Sequence, residues 1–233
     1  MSSNNEQKMI KPQRYKYFDL ITGLFVAVLL ISNIASSKIV DIWKFTFDGG
    51  TILFPLSYIF GDILTEVYGY RRSRRVIWIG FFCALIMSFT LGLIGLIKPA
   101  SGWEHQEAYM AILGQTPRIV TASLIAYFAG EFSNSYVLAR MKVLTKGKWL
   151  FTRTIGSTIV GQGIDTVIFV IVAFLGVYDI SMVSLIIISN YIFKVSLEIL
   201  FTPVTYKIVG FLKRVEKVDW FDYKTDFNPF VFS

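Results

Sequence analysis

Two acidic residues, Asp62 and Glu66, lie inside a long apolar stretch at residues 54–75. They are four residues apart, so a helix would place both carboxylates on one face. Inserting an acid at the centre of a membrane helix costs about 3 kcal/mol, and acids at that depth usually face a bundle interior or a water-filled cavity. This pair therefore predicts a buried site that accepts hydrogen bonds from a solute or carries a proton.

Three later apolar segments also carry polar side chains at helical spacing. These side chains are Glu131 with Asn134, Gln162 with Asp165, and Asn190 with Lys194 and Glu198. Lys194 can pair with Glu198 one helical turn later, which lowers the energetic cost of placing the lysine in a membrane and needs no role in transport. Alternatively, Lys194 can pair with an acid on another helix. Asn33, near the end of the first apolar segment, either faces a binding cavity or makes an interhelical hydrogen bond worth about 1 kcal/mol.

The acids of these apolar segments would together cost about 10 kcal/mol or more if they faced lipid. We therefore expect most of them to converge inside the helix bundle around a substrate. The candidate substrate-binding residues are Asn33, Asp62, Glu66, Glu131, Asn134, Gln162, Asp165, Asn190 and Lys194. The alternative is a set of interhelical hydrogen bonds that only fixes packing, but such bonds usually come from Ser, Thr, Asn or Gln.

The composition indicates an integral membrane protein. The chain of 233 residues is 54% hydrophobic with a mean hydropathy of +0.57, which is high for a soluble protein. A net charge of +7 could indicate nucleic-acid binding, but the basic residues occur in short clusters between apolar segments, as membrane topology requires. Single Cys and His residues, Cys83 and His105, leave no basis for an intrachain disulfide or a His/Cys metal site, so we expect no cofactor and no metal.

The apolar segments predict an all-α fold with six transmembrane helices. The helices cover about residues 20–36, 52–68, 76–97, 117–142, 154–178 and 182–209. Between the first two, aromatic and polar residues alternate before Gly49 and Gly50, which predicts a short hairpin-like loop on the outer side. The six-helix domain, residues 18–209, then lies between an amino tail, residues 1–17, and a carboxyl tail, residues 210–233.

The Lys and Arg residues set the orientation. Eighteen of them fall in the segments that this topology places inside, against four in the outer loops. Since basic residues are retained in the cytoplasm, both termini are predicted to be cytoplasmic. The first apolar segment imitates a secretory signal, but further spanning segments follow it, so we expect it to remain as a helix.

Residues 55–70, PLSYIFGDILTEVYGY, with the arginines that follow, closely resemble the signature of the queuosine precursor transporters, the YhhQ-like vitamin uptake family. Other parts of the chain look like the same family's pattern, namely Ser32-Asn33, Lys38-Ile39-Val40, Gly130-Glu131-Phe132 and Asn134-Ser135. The resemblance implies a multi-pass protein of the bacterial inner membrane. It also implies import of 7-deazaguanines such as preQ0 and preQ1 into the cytoplasm for tRNA queuosine synthesis or salvage.

The residues alone define the solute only as a class. Carboxylates accept paired hydrogen bonds from an N–H and amino edge of the guanine type, and aromatic rings stack on a flat ring. A planar nitrogen heterocycle, a cation and a vitamin all satisfy these donors and acceptors. The resemblance narrows the small-molecule partner to a planar deazapurine. The clustering of the basic residues between apolar segments argues against a nucleic-acid partner.

Three energy sources for uptake are compatible with the sequence. They are proton coupling, downhill uptake with metabolic trapping, and a separate energising module. No GxxxxGK[ST] loop occurs, so the chain is not expected to hydrolyse ATP. The family is similar in its six-helix layout to the substrate-binding subunits of energy-coupling-factor transporters, whose coupling helix typically carries an Ala-x-x-x-Ala pattern. Here Ala27 is followed four residues later by Ile31, which favours a solitary transporter over a partner of an ATPase module.

Three other interpretations remain. The first is uptake of another small vitamin or nucleobase as the substrate-binding subunit of an ATP-driven module. The second is an intramembrane enzyme that uses paired acids, which the absence of a His pair argues against, so we expect no enzymatic activity. The third is a purely structural membrane subunit. The sequence does not decide between a monomer and a homo-oligomer.

Overall fold

The computed structural model describes residues 15–35, 38–42, 45–114, 117–176 and 179–231. This part of the chain is mainly helical, as predicted. The elements in chain order are α1 (Phe18–Ala35), β1 (Ile39–Ile42), β2 (Phe45–Asp48), α2 (Phe54–Ile63), α3 (Tyr70–Leu96), α4 (Gln106–Ile112), α5 (Pro117–Leu144), α6 (Leu150–Phe174) and α7 (Ile180–Glu216). Most of the predicted amino tail lies outside the described residues.

The two strands form the hairpin that the alternating sequence predicts. They pair antiparallel, with Ile42 opposite Phe45, and residues 43–44 between them lie outside the described part. The Ser32 hydroxyl of α1 donates a 2.9 Å hydrogen bond to the Gly50 carbonyl, just after β2. This bond fastens the end of the hairpin to α1.

Helix α2 does not end as a regular α-helix. It continues into one π-helical turn, Leu64–Tyr68, and stops at Gly69, whose φ of +87° is readily adopted only by glycine. Single π-helical turns of this kind occur frequently at functional sites. The turn carries Glu66, and its insertion changes the direction in which that side chain points relative to Asp62.

Four helices are long and apolar enough to cross a membrane, judged by length and composition over the described residues. The spans are Phe18–Ala35, Tyr70–Leu96, Leu150–Ala173 and Val183–Glu216. The other two predicted spans, α2 with its π-helical turn and α5, carry Asp62, Glu66 and Glu131, and all three of these side chains are buried. These two helices turn their polar faces toward the bundle interior, so they do not need to be apolar on every side.

The long helices turn large apolar side chains outward. Examples are Ile86, Phe89, Leu96, Leu185 and Leu200, each more than half exposed. Contiguous exposed apolar surface is rare on soluble monomers and marks contact with lipid or a partner. The outward faces of α3 and α7 therefore suit a bilayer.

Glycines bring α2, α5 and α6 close together. A Cβ added at Gly130 of α5 would lie 2.8 Å from the Asp165 Cβ and 2.9 Å from the Tyr58 hydroxyl oxygen. A Cβ added at Gly161 of α6 would lie 2.7 Å from the Asn134 Cβ. Small residues permit this close approach of membrane helices, and here they occur at the level of the polar side chains.

The carboxyl segment after α7 is packed against the bundle. Helix α7 continues past residue 209 to Glu216, and residues 217–231 then run along the start of α3. The Arg74 guanidinium donates to the carbonyls of Asp226 at 2.8 Å and Asn228 at 2.6 Å. The Trp78 indole donates to the Pro229 carbonyl at 2.8 Å. We call residues 217–231 the carboxyl strap.

Candidate functional site

Four acids, one from each of four helices, lie together in the interior of the bundle. They are Asp62 of α2, Glu131 of α5, Asp165 of α6 and Glu198 of α7, and all four are buried. The Glu131 carboxylate is within electrostatic range of the other three, and Glu198 is within range of Asp62. We call these four residues the acid cluster.

Asp62 is held by an amide from α5. The Asn134 Nδ2 group donates a 2.8 Å hydrogen bond to one Asp62 carboxylate oxygen. The second Asp62 oxygen and the Asn134 amide oxygen have no hydrogen-bond partner among the described residues. The pair is therefore fixed in orientation while it keeps two acceptor atoms for a further donor.

Glu131 lies beside the backbone of α2. A Cβ at Gly61 would lie 2.9 Å from the Glu131 Oε2 atom, so the absence of a side chain at that position gives the carboxylate its room. Both Glu131 oxygens lack a hydrogen-bond partner in the described part of the chain. A buried acceptor without a donor costs roughly 1–3 kcal/mol, so this carboxyl group favours a bound donor or a proton.

Asp165 forms an interhelical ion pair. The Lys194 ammonium lies 2.9 Å from the Asp165 Oδ2 atom and joins α7 to α6. Lys194 thus has an acid of another helix as a partner, one of the two pairings that the sequence left open. Breaking a buried pair of this kind by removing one partner typically costs 3–5 kcal/mol.

Sequence reasoning did not place Glu198 among the candidate site residues. Its spacing from Lys194 suggested a local pair within one helix, yet neither Glu198 oxygen has a hydrogen-bond partner within the described residues. Tyr58 was also missed, and its side chain faces Asp165, Glu131 and Glu198. The shared face with Lys194 was the available signal for Glu198, whereas an aromatic residue in an apolar helix gave none for Tyr58.

Glu66 lies in a different environment from Asp62. Its carboxylate accepts two hydrogen bonds from the Arg153 guanidinium and one of 2.6 Å from the Lys213 ammonium. The Lys142 ammonium is 3.6 Å away and bonds the Glu66 backbone carbonyl. Sequence reasoning assigned these three cations to cytoplasmic connections, so the structure brings Glu66 to a basic network instead of to the acid cluster.

The carboxyl strap completes this network. Asp219 lies 2.6 Å from the Lys142 ammonium and 2.9 Å from that of Lys213. Burial alone would raise the pKa of the Asp219 carboxyl, but hydrogen bonds from Lys142 and Lys213 hold it below its usual value. We call Glu66, Lys142, Arg153, Lys213 and Asp219 the charged network.

The three remaining candidates are placed differently. Gln162 is buried, and its amide oxygen has no hydrogen-bond partner among the residues that the structure describes. Asn33 accepts a 3.2 Å hydrogen bond from Ser123 of α5 and lines an apolar cavity of about 230 Å³ between α1, α3, α4 and α5. None of the described residues that line this cavity is an acid. Asn190 is half-buried on α7, one turn before Lys194.

Comparison with known proteins identifies the family. The model of the family described as "Putative vitamin uptake transporter" matches residues 48–208. A protein of Bacillus subtilis (strain 168) named "Probable queuosine precursor transporter" is 32% identical over 196 residues, which cover 82% of this chain and 85% of the relative. The "Queuosine precursor transporter" of Escherichia coli (strain K12) is 27% identical over 203 residues, which cover 84% and 88%.

No solved structure gives a significant match to this chain. The family resemblance of residues 55–70 is confirmed by the relatives, and the apolar helices agree with a multi-pass membrane protein. The chain therefore belongs to the putative vitamin uptake transporter family and is a homologue of the queuosine precursor transporters.

Proposed function

We propose that the protein imports queuosine precursors, 7-deazaguanines such as preQ0 and preQ1, into the cytoplasm. The names of its relatives support the class of solute. The observation that carries the proposal is the buried Glu131 carboxylate, which lies where four helices meet and has no hydrogen-bond donor among the described residues. In this proposal six helices span the inner membrane with both termini in the cytoplasm.

The chemistry of Glu131 and Asp62, two members of the acid cluster, suits a guanine-type edge. Such an edge offers an N–H and an amino group side by side, and a carboxylate accepts two parallel hydrogen bonds from them. We assign this role to Glu131 or Asp62. The Asn134 and Gln162 amides supply further donors and acceptors, and the Asp165–Lys194 pair offers both signs of charge. In this proposal Asn190, half-buried one turn before Lys194, contributes a further amide, whereas Asn33 and Glu66 have packing and gating roles.

The charged network closes the cytoplasmic side in this proposal. Its three cations and two acids join the π-helical turn after α2, helices α5, α6 and α7, and the carboxyl strap. Release of substrate to the cytoplasm requires these contacts to separate. The protein would therefore alternate between this closed arrangement and one in which the acid cluster opens inward.

A second candidate function follows from the description of the family. Uptake of another vitamin or nucleobase, as the substrate-binding subunit of an ATP-driven module, would use the same Glu131 and Asp62 carboxylates. The purified chain separates the two. A solitary transporter moves substrate across liposomes alone, while a subunit of a larger module only binds it.

The direct test is rescue of tRNA modification. Cells that cannot make queuosine precursors should regain queuosine in tRNA when they express this protein and receive preQ0 or preQ1. Glu131→Gln and Asp62→Asn should abolish rescue, since each removes a carboxylate that accepts substrate donors. Glu107→Gln, on the exposed surface of α4, is the matched control and should keep rescue. Full rescue by both cluster variants at normal membrane levels would refute the assignment of the site.

A further inference from the structure

Glu198 is the acid of the cluster that the proposed substrate site leaves unused. It is 1% exposed, and both of its carboxylate oxygens lack a hydrogen-bond partner in the described chain. The titratable groups that face it are Tyr58 and Asp62 of α2 and Glu131 of α5. The other charged groups of the cluster are Asp165 of α6, which faces Tyr58 and Glu131, and its ion-pair partner Lys194, one turn before Glu198 on α7.

The charges around Glu198 do not balance. Lys194 is paired with Asp165, and Arg153 with Glu66. Asp62, Glu131 and Glu198 then have no ion-pair partner among the described residues. Three carboxylates of one sign, close together and removed from water, repel one another strongly. A proton on one of them therefore stabilises the other two.

The position of Glu198 favours it over the other two acids as the proton carrier. Asp62 accepts the Asn134 amide hydrogen bond, which stabilises its charged form. Glu131 lies against α2 in the proposed substrate site. Glu198 has neither contact, and its charge is free to change without loss of a hydrogen bond in the described structure.

Glu198 also lies shortly before a proline in α7. Pro203 within this helix removes one backbone donor and leaves the carbonyl four residues earlier unbonded, which favours a kink. The Thr202 hydroxyl donates a 2.8 Å hydrogen bond to the Glu198 carbonyl at the same place. Beyond Pro203, Lys213 of the same helix binds Glu66 of the charged network.

We propose that Glu198 carries the proton that drives transport. In each cycle its carboxylate binds a proton from the outer side, becomes neutral, and returns the proton to the cytoplasm when the charged network opens. The proton is the only species bound and released by Glu198, which does not contact substrate. Helix α7, with Pro203 between the two residues, links this change of charge to Lys213. The inference rests on the proposed transport function.

The test uses the purified full chain in liposomes with tritiated preQ0, whose cyano group carries no charge near neutral pH. Counterflow without any gradient measures transport alone. Accumulation is then measured with the interior one pH unit more alkaline and the membrane potential held at zero with valinomycin and potassium. One proton per preQ0 gives about tenfold accumulation, because one pH unit corresponds to 1.36 kcal/mol. An equal sodium gradient should give none.

The decisive variant is Glu198→Gln, which keeps the shape of the side chain and cannot release a proton. We expect it to keep counterflow and to lose accumulation, so that the inside and outside concentrations become equal. Glu198→Asp keeps an ionisable group and should retain accumulation with a displaced pH dependence. Glu107→Gln is exposed and should behave as the unaltered protein in both assays.

The outcomes separate the two proposals. If the unaltered protein shows counterflow but no accumulation, proton coupling is wrong and the proposed function stands. If it shows neither, the proposed function is wrong. The role of Glu198 as proton carrier is overturned if Glu198→Gln still accumulates preQ0. It is also overturned if this variant is folded but has lost counterflow. If Glu198→Gln does not fold, an unchanged pH profile for Glu198→Asp overturns it instead.

Discussion

Glu66 and Arg153 form a buried, doubly hydrogen-bonded ion pair between the π-helical turn after α2 and the first turn of α6. Bidentate pairs of Arg with a carboxylate combine strength with a fixed geometry. This pair lies within the charged network, where Lys142, Lys213 and Asp219 add to it. The Glu66–Arg153 pair joins the family signature, residues 55–70, to the basic segment that precedes and begins α6.

Glu66→Gln should destabilise the protein by about 3–5 kcal/mol, because it leaves the buried Arg153 and Lys142 without their shared acid. Thermal unfolding in detergent measures this loss. Glu107→Gln makes the same chemical change on the exposed α4 and should stay within about 0.5 kcal/mol of the unaltered protein. Equal melting temperatures for the two variants would show that the ion pair is not structural.

The contact of Asp219 with the two lysines should make stability depend on pH. Because the pKa of Asp219 is lowered in the folded protein, its contribution is complete above the unfolded pKa of about 3.9 and is lost as pH falls through the folded value. Its side chain is 45% exposed, so the contribution is small.

Asp219→Asn tests this. Its melting temperature should lie below that of the unaltered protein at pH 6, and the difference should disappear at acid pH below the folded pKa. A difference that stayed constant as the pH fell would mean that the carboxylate charge is not involved.

Gly69→Ala should release the carboxyl strap. A Cβ at Gly69 would collide with the Trp220 indole, and the positive φ of this residue adds about 1–3 kcal/mol of backbone strain. Trypsin should then cut faster after Lys217 and Lys224. Gly102→Ala also has a positive φ but open space around it, so it should show no faster cleavage of the strap. Similar cleavage of both variants would contradict the packing of Trp220 on Gly69.

The sequence predicted the polar helix faces because helical periodicity fixes which side chains share a face. The cost of an acid in lipid then implied that Asp62, Glu131 and Asp165 point inward, and the structure places them together. The interhelical partner of Lys194 could not be chosen, since spacing within one helix favours Glu198 equally. Only the packing of α6 on α7 brings Asp165 to it.

The charged network was not predictable from spacing. Lys142, Arg153 and Lys213 occur in sequence clusters that are typical of exposed cytoplasmic connections, yet the first two are buried. Two features gather them around Glu66, namely the π-helical turn that carries Glu66 and the carboxyl strap, whose Asp219 contacts Lys142 and Lys213. For Asn33, by contrast, the sequence offered a binding cavity or an interhelical hydrogen bond, and its bond from Ser123 of α5 is such a hydrogen bond.

The Asp165–Lys194 pair should show strong coupling. Lys194→Met leaves a buried carboxylate without its cation and should cost about 3–5 kcal/mol. Adding Asp165→Asn removes that charge. The double variant should therefore be more stable, by about 1–3 kcal/mol, than the sum of the two single destabilisations predicts. A double-mutant cycle of urea unfolding measures this energy. If the two single effects simply add, the two side chains do not interact. We also expect the two single variants and the double variant to lose transport.

Gly61→Ala should impair transport without impairing folding. A Cβ at this position would displace the Glu131 carboxylate, whereas alanine in a helix interior is intrinsically favoured over glycine by about 0.5–1 kcal/mol. We therefore expect an unchanged or slightly higher melting temperature together with a several-fold rise in the KM for preQ0 counterflow.

The matched control is Gly92→Ala on α3, where an added Cβ meets no atom of the described residues within 4 Å. It should raise helix stability by a similar amount and leave the KM unchanged. Adding Glu131→Asp to Gly61→Ala shortens the acid by one methylene and makes room for the new methyl group, so the pair should recover part of the lost affinity. If Gly61→Ala transports normally, Glu131 does not need its position beside α2, and its assignment to the substrate site fails.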